Sequence, residues 1–202
     1  MPNTVVHLWL AEQICRQMPE FKHPDFFLGS ILPDAVLSRK GDIEPVKRIT
    51  HLSEHRENWE KDALTAFRKL KTPSMLEIGC FTHILTDIKA RTYMRAYFNA
   101  YGIQSEQREE LHRLIVPLVI RKLFNSEQDY FDCVSFAEKS EVTDYPYGIT
   151  QDDTKNNFTY AYCIFELEKV KVDESELPFA MPDYRVWGTE WINSLREDLY
   201  RL

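Results

Sequence analysis

The stretch Met75-Leu76-Glu77-Ile78-Gly79-Cys80-Phe81-Thr82-His83-Ile84-Leu85-Thr86-Asp87-Ile88 decides the fold. Apolar residues fall on nearly every side of the helix it would form, so it reads as a helix buried all round, not as a surface amphipathic one. That central helix spans about residues 74–101, with a change of direction near Arg91. His83 and Asp87 are four apart, so they project from one helical face and can hold one cation between them. An ionised Asp in such surroundings would cost several kcal/mol if left alone, so it must have a partner, and the foremost candidates are a metal ion, an Arg or a Lys.

Outward from this helix, 3.6-residue periodicity continues in both directions. Residues 4 to 18 read as a first helix capped by Asn3 or Thr4, with His7, Ala11, Ile14, Cys15 and Met18 on its inward stripe. Pro19 to Ile49, with Pro24, Gly29, Pro33, Gly41 and Pro45, reads as a long connection. Its core, Phe26 to Ala35, is too apolar for a solvated loop, and Asp34 is its one acid there. A helix follows from Ser53 to about Lys71, with His55, Trp59, Ala63, Phe67 and Leu70 inward. Beyond the central helix, one helix runs from Ser105 to Phe124 with a kink at Pro117. Residues 127–139 and 154–171 also read as helical, the second with some strand character, as does Thr189 to Arg201. Thr143 to Asp153 reads as a polar loop, and no hairpin signal occurs. The expectation is an all-α, single-domain multi-helix bundle over 1–202, seven or so helices around the central one.

The totals narrow the function. With 202 residues and 44% apolar composition the chain can bury a core without disulfides. A net charge of −7 argues against stable duplex nucleic-acid binding, and small partners are expected. The N-terminal Met-Pro-Asn-Thr-Val-Val-His lacks the features of a secretory signal, and no apolar run nears the roughly 20 residues of a membrane span, so a cytoplasmic location is expected. Cys15, Cys80, Cys133 and Cys163 are scattered singly on apolar helical faces and read as reduced core thiols.

The metal-capable residues of the first 90 positions are His7, Asp34, His51, His55, His83 and Asp87. Carboxylates mixed with imidazoles suit zinc, manganese or iron and not calcium or magnesium. His7 in the first helix, Leu28-Gly29-Ser30-Ile31-Leu32-Pro33-Asp34, Thr50-His51 and Gly79-x-x-x-His83-x-x-x-Asp87 together resemble the ordered motifs of zinc-dependent phospholipase C and the related single-strand nucleases. The resemblance covers roughly residues 1–90, and it is the short cytoplasmic branch of that family that the chain looks like.

The resemblance implies a mostly helical hydrolase of phosphate esters, acting on a small phosphate ester or a phospholipid. It implies that Asp34, His51, His83 and Asp87 hold one zinc, and that His7, the amine of Pro2 and a shared Asp87 hold another. A hydroxide generated at the metals near neutral pH would attack phosphorus, with Asp34 as ligand or water-orienting base. The family's third zinc is not matched: Tyr93 stands where one His is expected, and His112 is followed by Val116 instead of an acid. That site is absent or rebuilt from Glu109 or Glu110, so one or two zinc ions are expected. Lys89 and Arg91, about one turn past Asp87, are candidates for the substrate phosphate, against the commoner role of solvated charges near a helix end.

Three alternatives accompany this reading. His51-Leu52-Ser53-Glu54-His55 matches the inverted zinc-peptidase signature H-x-x-E-H, although Ser53 is a better helix start than a mid-helix residue. His55 itself stands between a site role, as ligand or catalytic helper, and a packed core histidine. The chain could also be a non-catalytic metal-binding or lipid- or partner-binding helical protein with a degenerate site. His23 reads as exposed and His112 as a packing residue; Tyr93, Tyr97, Phe98, Tyr101, Trp187 and Trp191 read as core or as an apolar substrate groove. Residues 103–202 carry no interpretable motif and are assigned the shaping of the substrate site.

Overall fold

The structure is a computed structural model that describes residues 3–104, 106–108, 111, 118, 122–167 and 183–199. Among these the chain forms eight α-helices and no strand. They are α1 (Thr4–Gln17), α2 (Pro24–Ile31), α3 (Glu44–Thr50), α4 (Trp59–Arg68), α5 (Met75–Ala100), α6 (Glu127–Ala137), α7 (Gln151–Leu167) and α8 (Tyr184–Leu199). Short 3-10 turns lie at Pro19–Phe21, Leu32–Ser38 and Pro146–Gly148.

Helix α5 begins at a capping box. Ser74 Oγ accepts from the Glu77 amide at 3.3 Å, and the Ser74 amide donates to Glu77 Oε2 at 2.8 Å. The 26-residue helix is uninterrupted, about 39 Å long at the usual rise. Every residue from Ile78 to Ile88 is buried, whereas past Ala90 burial narrows to Met94 and Phe98. The helix is therefore a core element for its first half and an amphipathic one for its second.

The most extensive helix contact among the described residues joins α5 to α2. It depends on two glycines. A Cβ on Gly79 would lie 2.3 Å from the Phe26 carbonyl oxygen, and one on Gly29 would lie 2.2 Å from that of Leu76. No side chain fits at either position, so the two backbones meet directly. Around this pair, α1 packs on α2, α4 rests on α5 with Phe67 stacked on Phe81 at 3.8 Å, and α6 covers α2.

The stretch expected as a long connection, Pro19 to Ile49, is mostly helical. Its prolines start helices where they were read as breaking them: Pro24 opens α2, Pro33 sits in the first turn of the 3-10 segment, and Pro45 in that of α3. The helix expected from Ser53 begins only at Trp59. Helix α3 instead ends at a left-handed Leu52, with φ at 51°, whose amide bonds Ile49 while that of Ser53 bonds Arg48. His55 lies in the turn between α3 and α4 and not on an inward stripe.

Further along, α7 starts at Gln151, earlier than expected, because Thr150 and Asp153 cap each other: Asp153 Oδ2 accepts the Thr150 amide at 2.7 Å, and Thr150 Oγ1 the Asp153 amide at 3.2 Å. Much of the helix expected over 105–124, with Glu109, Glu110, His112, Val116 and Pro117, lies outside the described residues. Cys15, Cys80 and Cys133 are buried, but Cys163 is exposed on α7. The aromatics Tyr93, Tyr97, Trp187 and Trp191 pack against one another where α5 meets α8, ring centroids 5.4 to 6.3 Å apart. No helix among the described residues is long and apolar enough to cross a membrane.

Two measurements test this architecture. Gly79→Ala should lower the unfolding free energy by about 3 kcal/mol, because the obstacle is backbone. Asp153 is held at about 2, below its usual 3.8, first by the Arg39 guanidinium and then by Thr150, against the effect of burial. A depressed carboxylate stabilises above its unfolded pKa and loses that contribution as pH falls. The gap between wild type and Asp153→Asn in urea unfolding should stay near 2 kcal/mol down to about pH 5 and fall to roughly half near pH 3.

Candidate metal centre

Five of the six residues singled out in the sequence meet at one place. His7 comes from α1, Asp34 from the 3-10 segment after α2, His51 from the end of α3, and His83 and Asp87 from the buried half of α5. His51 Nε2 lies 3.2 Å from Asp34 Oδ1, 3.4 Å from Asp87 Oδ2 and 3.4 Å from His83 Nε2. His83 Nε2 is 3.9 Å from Asp87 Oδ2 and 4.0 Å from Asp34 Oδ2. The other Asp87 oxygen, Oδ1, faces His7 Nε2 at 3.5 Å, and the His7 ring stacks on that of His83 at 3.7 Å. His7, His83 and Asp87 form one set, and Asp34, His51 and His83 another, in which one donor atom from each residue lies within 4.8 Å of the others.

The backbone fixes which nitrogen each ring presents. His83 Nδ1 is 2.8 Å from the Ser30 carbonyl oxygen, to which it donates, so Nε2 carries a lone pair toward the cluster. This contact is a direct product of the glycine crossing, since Ser30 follows Gly29. His51 Nδ1 likewise sits 3.0 Å from the Lys47 carbonyl and 2.9 Å from the Thr50 hydroxyl. The His51 carbonyl accepts the Trp59 indole N–H at 2.6 Å. The turn that offers His51 is thus fixed on both sides.

The segment bearing Asp34 is tied down by α7. Asn157 Nδ2 donates to the Ile31 carbonyl at 3.1 Å, and Arg39 Nε to Asp153 Oδ1 at 2.8 Å. None of these supporting residues was singled out in the sequence. The prolyl start at Pro33 and the Thr150-x-x-Asp153 cap were the available signals.

Ionisation follows from the same geometry. Burial opposes charge on Asp34, but the His51 contact and the surrounding imidazoles outweigh it and hold the carboxyl well below its usual range. Burial likewise opposes charge on Asp87, and His7 and His83 overcome it in the same direction. His83 is pushed down to about 3 by burial and by His7, against the pull of both carboxylates, so it is neutral. His51 is raised: burial disfavours its cation, but Asp34 and Asp87 prevail.

The result is a buried knot of acceptors short of donors. His7 Nδ1 and Nε2, Asp34 Oδ1 and both Asp87 oxygens have no aligned hydrogen-bond partner. A tetrahedral zinc with ligands at about 2.0–2.2 Å separates its donor atoms by about 3.3–3.6 Å. The three shortest separations around His51 fall in or beside that range, and the His83 distances are slightly wider. Asp34, His51 and His83 are therefore close enough to hold one metal ion, as are His7, His83 and Asp87, and Asp87 Oδ2 links the two groups at 3.4 Å from His51 Nε2.

His55 is not part of this group. Its side chain is 63% exposed and lies 3.8 Å from Asp62, whereas that of His51 is 1% exposed. The peptidase signature needs both imidazoles on one helical face, and the left-handed turn at Leu52 separates them. Tyr93, at the unmatched third-site position, gives its hydroxyl to Glu190 of α8. Lys89 pairs with Glu60 at 2.7 Å. His23 caps α2, accepting the Asp25 amide, and is half exposed. Pro2 lies outside the described residues.

No family model, no curated protein and no solved structure matches the chain.

Metal uptake should be visible as stability. At free zinc a hundredfold above Kd, the unfolding free energy should rise by about 2.7 kcal/mol, and a chelator should reverse the gain. Asp87→Asn should abolish that gain in calorimetry, because the amide that replaces the carboxylate carries no charge for the cation.

Proposed function

We propose that the protein is a zinc-dependent hydrolase of phosphate esters, with its metal held by Asp34, His51, His83 and Asp87 and with His7 completing the site. The observation that carries this reading is the convergence of the Nε2 atoms of two imidazoles and the oxygens of two ionised carboxylates on one point, with a set of separations close to that of one tetrahedral cation. The mixed nitrogen and oxygen donors suit zinc, and the order of their motifs resembles zinc-dependent phospholipase C and the related nucleases. When bound, such a cation supplies Lewis acidity, polarising a phosphoryl oxygen and bringing the acidity of water toward neutrality.

The protein's own contribution is position and charge. Ser30 and Lys47 keep His83 and His51 in the tautomers that present Nε2. Asp34 is the ligand nearest solvent, its side chain 10% exposed against 1% or less for the other four, so it is the group placed to orient water. A small soluble ester met in the cytoplasm suits a site of this depth. The departures at Tyr93 and Val116 limit the site to one or two ions.

The same burial favours a second reading, a structural cation in a non-catalytic helical protein, because structural sites are closed and catalytic ones keep a place open. Turnover separates the two. Protein purified with zinc should hydrolyse bis(p-nitrophenyl) phosphate, a chelator should abolish the activity, and added zinc should restore it. His83→Ala should lower kcat/KM by about a hundredfold or more with most of the helical circular dichroism intact. A protein with stoichiometric zinc and no hydrolysis of this or a monoester substrate would leave the structural role.

A further inference from the structure

Beyond Asp87, the stripe of α5 that carries the metal ligands continues at the same four-residue spacing as Arg91 and Arg95, so His83, Asp87, Arg91 and Arg95 follow one another along a slowly turning line. The helix passes from fully buried at Asp87 to half-buried at Arg91 and exposed at Arg95. Helical side chains lean toward the N-terminus, so the Arg91 side chain leaves the helix inclined toward the turn that bears Asp87. It lies over the Trp59 ring, 6.0 Å from the centroid, and the Trp59 indole is bonded to the backbone of His51. One aromatic side chain thus seats both a metal ligand and an arginine.

The charges here are not balanced. Glu60 is taken by Lys89 at 2.7 Å, and Glu44 by Arg48 and Arg56 at 3.2 and 2.9 Å. No ion pair joins Arg91 or Arg95 to a carboxylate among the described residues. Burial, then the like charges of Arg95 and Arg56, lower the basicity of Arg91, in a chain of net charge −7. Such crowding is unfavourable until an anion enters, and planar guanidinium groups fit tetrahedral oxyanions with paired hydrogen bonds.

We propose that Arg91, supported by Arg95 one turn further on, is an oxyanion subsite that grips the phosphoryl group of an ester delivered to the metal centre. The subsite rests on the metal-centre reading for its role in turnover, but not for its affinity for phosphate.

The test is calorimetric titration of inorganic phosphate into zinc-loaded and chelator-treated protein, with phosphate also measured as an inhibitor of bis(p-nitrophenyl) phosphate hydrolysis. Arg91→Ala should weaken phosphate binding about tenfold and Arg91→Ala/Arg95→Ala further, with zinc affinity unchanged. Arg91→Lys should recover only part, since it keeps the charge and loses the fork. Phosphate affinity that is the same in wild type and the double variant, or absent in wild type at millimolar concentrations, overturns the proposal. Failure of the metal reading looks different: wild type takes up no zinc, yet chelator-treated protein still binds phosphate through these arginines. Pelleting with vesicles of anionic phospholipid, lost in the same variants, would assign the phosphoryl group to a lipid headgroup, and binding of free phosphate alone to a soluble ester.

Discussion

The structure depends on two backbones touching. Where α2 crosses α5, Gly29 and Gly79 leave no room for a side chain, and the helices approach until carbonyl oxygens occupy the space a Cβ would need. This contact is the centre of the packing, with α1, α4 and α6 laid around it. It is also the reason a main-chain carbonyl reaches His83: the residue after Gly29 is Ser30, whose oxygen takes the Nδ1 proton. A wider crossing would leave that nitrogen buried without a partner, at a penalty of about 1–3 kcal/mol, and the ring free to turn.

The core then holds something a core normally excludes. Three α-helices and a 3-10 turn deliver carboxylates and imidazoles to one point inside an apolar cluster that runs from Val5 to Leu199. Backbone carbonyls hold His83 and His51, but both nitrogens of His7 and both oxygens of Asp87 have no aligned hydrogen-bond partner. Local rules of helix formation and packing are satisfied almost everywhere else, and the place where they are violated is where function is expected. Support comes from well outside the cluster: Trp59 holds the turn at His51, and α7 holds the segment bearing Asp34 through Asn157 and Asp153.

Legibility in the sequence followed the range of the forces involved. The buried central helix was readable because eleven consecutive positions from Ile78 to Ile88 are buried and their composition says so. The prolines at 24, 33 and 45 were misleading, since the same residue that ends one helix starts the next, and only the following register tells which. His55 was misplaced because a left-handed Leu52 is invisible in a sequence: glycine is the residue expected at such a helix end. The aromatic residues of α5 and α8 read as core or as groove, and in the structure their rings meet one another in tilted and edge-on contacts.

By itself, then, the sequence determined an all-α fold, its central helix, and the list of side chains able to bind a metal, because these follow from periodicity and from chemistry carried by single residues. Tertiary structure decided which of them meet. It set His55 apart, gave Tyr93 to Glu190, bound Lys89 to Glu60 and left Arg91 beside Trp59 with no acid paired to it among the described residues. Those outcomes turn on ångström-scale separations between residues far apart in the chain, and such separations are set by how closely two helices can approach, which is a property of the packed whole.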